Sequence, residues 1–183
     1  MADAFLELES CNSGELQDCI QRHTQSFRLV PNLWENISLE ESENISKELR
    51  PLKYLTKDER GEESINPEIN NLVPNDAGGI YFFCIIPPVF ESHVSYLMYI
   101  GRAQYSTSHN LRKRVKCYWR DERPKLERLF RLWGDYLYLK WIPIKDENSK
   151  IRTLEAKLIN SFLPPFNTEI PNIKSRQAVN AFR

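Results

Sequence analysis

The sequence predicts an α+β domain. It reads as a small three-stranded antiparallel sheet flanked by helices in the order β-β-α-α-β-α, behind an N-terminal extension that is mainly helical or irregular. Three observations predict it. Three short runs rich in β-branched and aromatic residues are bounded by Gly or Pro, as buried strands are. Segments beside them space their apolar residues for one face of a helix. Finally, 183 residues with 41% hydrophobic and 27% charged side chains suffice for one ordinary core plus an extension.

The first definable element runs from Ser38 to Arg50. Ser38 precedes Glu40 and Glu41 in the first turn, Lys47 and Arg50 lie near the end, and Pro51 stops it. Leu39, Ile45 and Leu49 give this helix only a thin apolar face. From Thr56 to Asp76 the chain is polar and broken by Gly61, Pro67 and Pro74, the composition of a loop or linker. Gly79 to Ile86 is then a continuous apolar strand ended by Pro87-Pro88, and Ser95 to Gly101 is a second strand that can return antiparallel.

Asn110 to Trp119 reads as a basic helix with Leu111, Val115 and Tyr118 on one face. Pro124 suits the first turn of another helix ending at Trp133, which Gly134 breaks. Tyr136 to Ile144 is the third strand. Ser149 caps a last helix with Leu154, Leu158, Ile159 and Phe162 on its apolar side, and Pro164-Pro165 ends it. These elements divide the chain into an acidic extension (1–75), a folded domain (76–172) and a polar tail (173–183).

Lys plus Arg equal Asp plus Glu, at 25 each, but the balance is uneven along the chain. Residues 1–75 carry 7 cationic and 15 anionic side chains, and residues 76–183 carry 18 and 10. Such a division often marks a nucleic-acid contact in the basic part, although two unevenly solvated surfaces give the same count. The start at Met1–Phe5 lacks the basic segment and apolar stretch of a targeting signal, and no apolar run approaches the roughly 20 residues of a membrane span. Cys11, Cys19, Cys84 and Cys117 are too dispersed for a zinc ribbon, and Cys84 sits in an apolar run. Reduced thiols in a cytoplasmic protein without membrane contact are the expectation. His23, His93 and His109 lack metal-ligand spacing, and no Walker loop, Gly-x-Ser-x-Gly or His-Glu-x-x-His occurs.

Two tripeptides stand out: Gly79-Ile80-Tyr81 on the first strand and Tyr99-Ile100-Gly101 on the second. They resemble, letter for letter, the two halves of the GIY-YIG nuclease signature. Downstream, Asn110-Leu111-Arg112-Lys113-Arg114-Val115 with Tyr118 resembles the first helix of that family. Leu154-Glu155-Ala156-Lys157 running to Pro164-Pro165-Phe166-Asn167 resembles its final helix, with a metal-binding Glu and a terminal Asn. The resemblance spans about residues 78–170, and a Tyr at position 118 gives it the flavour of bacterial excision-repair nuclease domains.

The resemblance implies a metal-dependent DNA endonuclease hydrolysing phosphodiester bonds, and a job for each matched residue. Glu155 would hold one Mg²⁺ or Mn²⁺ per active site, an arrangement Mg²⁺ accepts when water and phosphate supply the other ligands. Arg114 would clamp the scissile phosphate with its planar fork, with Arg112 a rival two positions away. Arg102 would bind phosphate or lower the pKa of a nearby phenol. Tyr81 and Tyr99 are candidates for the general base or for orienting the attacking water, with Tyr99 slightly preferred. Tyr118 would hydrogen-bond phosphate or water, Asn167 would position Glu155 or close the site, and Gly101 would let the backbone approach substrate. Arg112, Lys113, Lys116 and Arg120, within a basic stretch that continues through Arg123, Lys125, Arg128 and Arg131, would track the phosphate backbone.

Each of these residues also has a plain reading: a helix-surface Glu, solvated helix cations, and core tyrosines on strands. At the level of function the alternatives are a repair or structure-specific nuclease, a non-catalytic DNA-binding module on the same fold, or cleavage of RNA. A compact free-standing chain favours restriction or defence over repair, and cutting both strands would need a homodimer or two successive nicks. The acidic extension would cover the basic site, pair with another protein, or pack on the sheet through Phe27, Leu29, Leu33, Trp34 and Tyr54; packing is preferred.

Overall fold

The computed structural model describes residues 27, 29–88, 93–120, 124–145 and 148–172; the side chains of Glu48, Arg120, Pro124 and Lys125 lie outside that description. Cys11, Cys19, His23, Arg123 and the 173–183 tail therefore fall outside the described residues.

Two helices come first, α1 (Pro31–Trp34) and α2 (Leu39–Glu48), followed by strands β1 (Leu52–Lys53), β2 (Leu55–Lys57) and β3 (Glu63–Ile65) and a helical turn, α3 (Ile69–Leu72). Next are β4 (Gly78–Ile85), β5 (Tyr96–Ala103), α4 (Leu111–Lys116), α5 (Pro124–Trp133), β6 (Leu137–Ile144) and α6 (Asn148–Phe162). The class is α+β, and the β-β-α-α-β-α order expected from residue 79 onward is present. Ser38 caps α2 by accepting from the Glu41 amide while the Glu41 carboxylate accepts from the Ser38 amide, a reciprocal capping box.

The main sheet has four antiparallel strands, not three, in the order β1-β6-β4-β5. The added strand is Leu52–Lys53, which pairs with Leu139 and Tyr138. Two residues are too few to show a period-two pattern, so the sequence carries no strand signal there. The segment from Thr56 to Asp76, expected to be a loop, instead holds the β2–β3 hairpin and α3. The last helix begins at Asn148, so Ser149 lies inside it and not at its cap.

All eight residues of β4 are buried, because β5 and β6 flank it and helices cover both faces. That explains a continuous apolar run where a half-exposed strand would alternate. On one face Tyr81 and Phe83 pack with Leu111 and Val115 of α4 and Leu126 and Leu129 of α5. On the other, Ile80, Phe82 and Ile100 pack with Ile151, Leu158 and Ile159 of α6, while Ile37, Ile45 and Leu49 bring α2 against the same cluster.

The acidic first third supplies part of this core. Leu52, Tyr54, Leu55, Ile69 and Val73 are buried with Tyr81 and Phe83, and the Tyr54 hydroxyl donates to the Val115 carbonyl at 2.7 Å. Of the other residues expected to pack the extension down, Leu33 contacts Leu163 and Ile170, and Phe27 stacks at 5.7 Å on Tyr96. Leu29 is 71% exposed, and Leu39 of the thin helical face is 85% exposed. Cys84 is buried as its apolar setting suggests, and burial pushes its thiol up. Among the described residues no helix is long and apolar enough to cross a membrane.

Candidate active site

The site forms around the free edge of β5. Because β5 is an outer strand, side chains from both sheet faces can reach one space beside it. Register pairs Tyr81 with Gly101 and Phe83 with Tyr99, which puts these side chains on the α4 face. Ile80 pairs with Arg102, which puts Arg102 on the α6 face. A bulge between Phe83 and Cys84 leaves Met98 as an extra residue on β5, just before Tyr99.

On the α4 face three phenols meet. The Tyr81 and Tyr118 hydroxyls share a short hydrogen bond, and the Tyr99 hydroxyl lies 3.4 Å from that of Tyr118. Tyr118 points inward because α4 tightens into a 3-10 turn at Cys117–Arg120. Tyr81 and Tyr118 are buried, while Tyr99 is half-buried. Burial, reinforced by the neighbouring phenols, pushes the Tyr81 hydroxyl well above its ordinary pKa. Tyr81 therefore stays protonated, and among the three only Tyr99 opens to solvent. The Arg114 guanidinium lies over the Tyr118 ring, 5.0 Å from its centroid, within cation–π range. Burial works against its charge, but the surrounding Tyr81, Tyr118 and Tyr99 groups outweigh it and raise the Arg114 pKa.

Gly101 lies beneath the Tyr81 ring. A Cβ there would run into the hydroxyl and ring of Tyr81. The glycine makes room for a neighbouring side chain to lie across the strand. Gly79 adopts φ +153°, and a Cβ on it would strike the Ile142 carbonyl of β6.

On the α6 face Arg102 forms a close ion pair with Glu155, whose side chain is only 14% exposed. Burial raises the Glu155 pKa, and Arg102, Arg114 and Arg152 pull it back down without cancelling the shift.

Asn167 closes the edge. The chain leaves α6 through Leu163, which takes the left-handed φ of 46°, and turns at Pro164-Pro165 so that it runs back along β5. The Phe166 amide donates to the Met98 carbonyl at 3.0 Å. Asn167 then accepts from the Ile100 amide at 2.9 Å and donates to the Ile100 carbonyl at 2.7 Å, imitating a partner strand. Its hydrogen bonds go to β5 backbone; among the described residues none goes to Glu155.

These groups line a cleft of about 1060 Å³ that includes Tyr81, Tyr99, Arg102, Arg114, Glu155 and Asn167. Tyr118 lies behind it. The basic residues beside Arg114 do not line it. Arg112 donates to the Val73 carbonyl at 2.7 Å, Lys116 to Asn70 at 2.9 Å, and Lys113 to the Ser108 carbonyl at 3.1 Å. Arg120 ends the 3-10 turn and its side chain lies outside the described residues. The cleft does gain residues that the motifs do not mark: Gln104, Tyr105, Ser106, His109 and Asn148. The only sequence signal for the first four is an uncharged polar run between Arg102 and the basic helix, and Asn148 lies outside that run.

The donor set bears on the divalent ion that the motifs imply. Among the described residues no three His, Cys, Asp or Glu side chains stand together, so these residues offer no cage. Glu155 engages Arg102 through Oε2, while Oε1 takes no hydrogen bond among the described residues and the carboxylate borders the cleft. That fits an ion held by one carboxylate, with water and substrate oxygens as its other ligands. The chain matches no protein-family model, no curated protein and no solved structure.

Proposed function

We propose that the chain is a divalent-metal-dependent DNA endonuclease of the GIY-YIG type. The observation that supports this is convergence: residues separated by up to 86 positions in sequence, from Tyr81 to Asn167, border one cleft at the edge of β5. Packing alone does not call for a guanidinium beside a phenol ring, a carboxylate–guanidinium pair and a half-buried phenol in one place.

In the proposed reaction Arg114, seated over the Tyr118 ring, grips the non-bridging oxygens of the scissile phosphate. Tyr81 stays protonated and fixes Tyr118 through their shared hydrogen bond. Tyr99, the phenol open to solvent, orients the attacking water or takes its proton. Arg102 balances Glu155 in the free protein and turns to the phosphate when substrate enters. Glu155 would hold Mg²⁺ or Mn²⁺, which when bound supplies Lewis-acid stabilisation of the phosphoryl charge. Each cleft serves one phosphodiester bond, so a double-strand cut requires a homodimer or two nicks.

The test is nicking of supercoiled plasmid with Mg²⁺ or Mn²⁺, alongside Glu155→Ala and a structured RNA of similar length. Metal-dependent nicking by the wild type and none by Glu155→Ala is expected. Equal nicking by both, or none across metals and salt, would sink the enzyme reading. A gel shift without cleavage would recast the chain as a DNA-binding module, and preferential cutting of the RNA would change the substrate.

A further inference from the structure

The loop between β5 and α4, residues 104–110, carries an inference that rests on the nuclease reading above and goes beyond it. We propose that this loop reads a nucleobase close to the scissile phosphate, with Tyr105 as the stacking surface and Gln104 and His109 as edge-reading groups.

The first observation is chemical. Gln104-Tyr105-Ser106-Thr107-Ser108-His109 contains no Lys or Arg, yet Gln104, Tyr105, Ser106 and His109 line the same cleft as Arg102 and Arg114. Phosphate oxygens take contacts from cations, amides and hydroxyls alike, whereas base faces are met by aromatic rings, and amides and imidazoles also read base edges. The inner part of the cleft carries the cations, and this wall adds an aromatic ring beside an amide and an imidazole.

The second observation is exposure without slack. All six side chains are exposed, Tyr105 at 39%, and the Tyr105 ring lines the cleft. The backbone beneath them is nevertheless fixed. Asn148 accepts from the Tyr105 amide at 2.8 Å and donates to the Tyr105 carbonyl at 3.0 Å. The Ser106 amide donates to the His109 carbonyl at 2.9 Å, and the His109 amide donates to the Ser106 hydroxyl at 3.1 Å. Lys113 holds the Ser108 carbonyl, and Asn110 caps α4 by accepting from the Lys113 amide at 2.8 Å. A loop already ordered loses little entropy when it meets a ligand.

The third observation sets the distance. Asn148, which clamps Tyr105, stands on the same helix as Glu155. Two helical turns separate them, a rise of about 10 Å. At about 3.4 Å per nucleotide along one strand, that step corresponds to about three nucleotides. The base that is read therefore lies within about four nucleotides of the cut.

The test is to sequence the ends produced by plasmid nicking and to measure KM and kcat on a short duplex carrying the preferred site. Wild type, Tyr105→Ala, Tyr105→Phe and Gln104→Ala are compared, with circular dichroism to show that each folds. The wild type is expected to prefer certain bases at one or two positions within that window. Tyr105→Ala and Gln104→Ala flatten the preference, and Tyr105→Ala raises KM by about 5- to 100-fold, the range of a lost base–aromatic stack, with a much smaller change in kcat. Tyr105→Phe keeps both. Cleavage by the wild type with no base preference in the window, or a preference that both alanine variants retain, would overturn the proposal and leave the nuclease reading standing. No cleavage by the wild type would remove the nuclease reading and this subsite with it.

Discussion

The Tyr81 ring lies over Gly101 on the neighbouring strand, in the space that a Cβ at position 101 would fill. The two residues are register partners, and Tyr81 is fully buried against Phe83 and Tyr118, so the ring has no room to retreat. The phenol that anchors Tyr118, and through it Arg114, is thus held by the absence of a methyl group.

Gly101→Ala is expected to cost about 1–3 kcal/mol through overpacking. For a chain of this size that lowers Tm by about 2–12 °C. A double-mutant cycle gives the sharper check: in a Tyr81→Leu background the same substitution should cost much less. Equal costs in both backgrounds would show that the clash is not with Tyr81.

Tyr54→Phe tests the tie between the acidic first third and the basic helix. The lost hydroxyl leaves the buried Val115 carbonyl without that donor, a change expected to cost about 1–3 kcal/mol. Denaturant unfolding measures it. A cost below a few tenths would mean that water or a neighbour replaces the bond.

Asn167→Ala should loosen the β5 edge, since both side-chain hydrogen bonds of Asn167 go to the Ile100 backbone. Hydrogen exchange at the Ile100 amide is expected to accelerate by about 10- to 100-fold, the effect of losing one or two ordinary hydrogen bonds. Nicking should fall through a misplaced edge while Glu155 keeps its pairing with Arg102. Unchanged exchange at Ile100 would show that the edge is closed by other means.

Glu41→Gln reports on how α2 is fastened to α6. Its hydrogen-bonded ion pair with Lys157, then its bonds to Ser38, hold the Glu41 carboxyl at about 2, below the usual 4.5. A depressed folded-state pKa contributes stability that is present above pH 4.5 and lost as pH falls towards 2. Glu41 is 39% exposed, so the contribution is that of a surface pair, below about 1 kcal/mol, and salt should weaken it. The Tm difference between wild type and Glu41→Gln should therefore be present at pH 7, shrink at pH 3, and shrink at high salt. A difference that grew on acidification would contradict the assignment.

Much of the fold was legible because its signals are local. The apolar run at 79–86, the helical spacing of Leu111, Val115 and Tyr118, and the stops at Pro51 and Pro164 each act within a few residues, and the elements fall there. Leu52–Lys53 was not legible, because a two-residue strand exists only where β6 offers it an edge. The hairpin inside the polar 55–65 segment was hidden for a related reason: its pairing is set by contact with the core through Leu55 and Tyr54, not by composition.

For the site, the sequence by itself determined which residue types were present and the order in which they occur. Tyr81, Tyr99, Arg102, Arg114, Tyr118, Glu155 and Asn167 could all be chosen from motifs. Only the tertiary structure decided their relations. It buried Tyr81 and left Tyr99 open, set Arg102 against Glu155, and turned Asn167 onto the β5 backbone instead of the carboxylate. It also placed Arg112, Lys113 and Lys116 outside the cleft, bonded to Val73, Ser108 and Asn70, and brought Gln104, Tyr105, Ser106 and His109 into it. The physical reason is that chemistry is carried by side-chain identity, which a sequence lists, whereas access, pairing and pKa depend on what stands within a few ångströms. Those neighbours come from distant parts of the chain, and only the strand order β1-β6-β4-β5 brings them to one open edge.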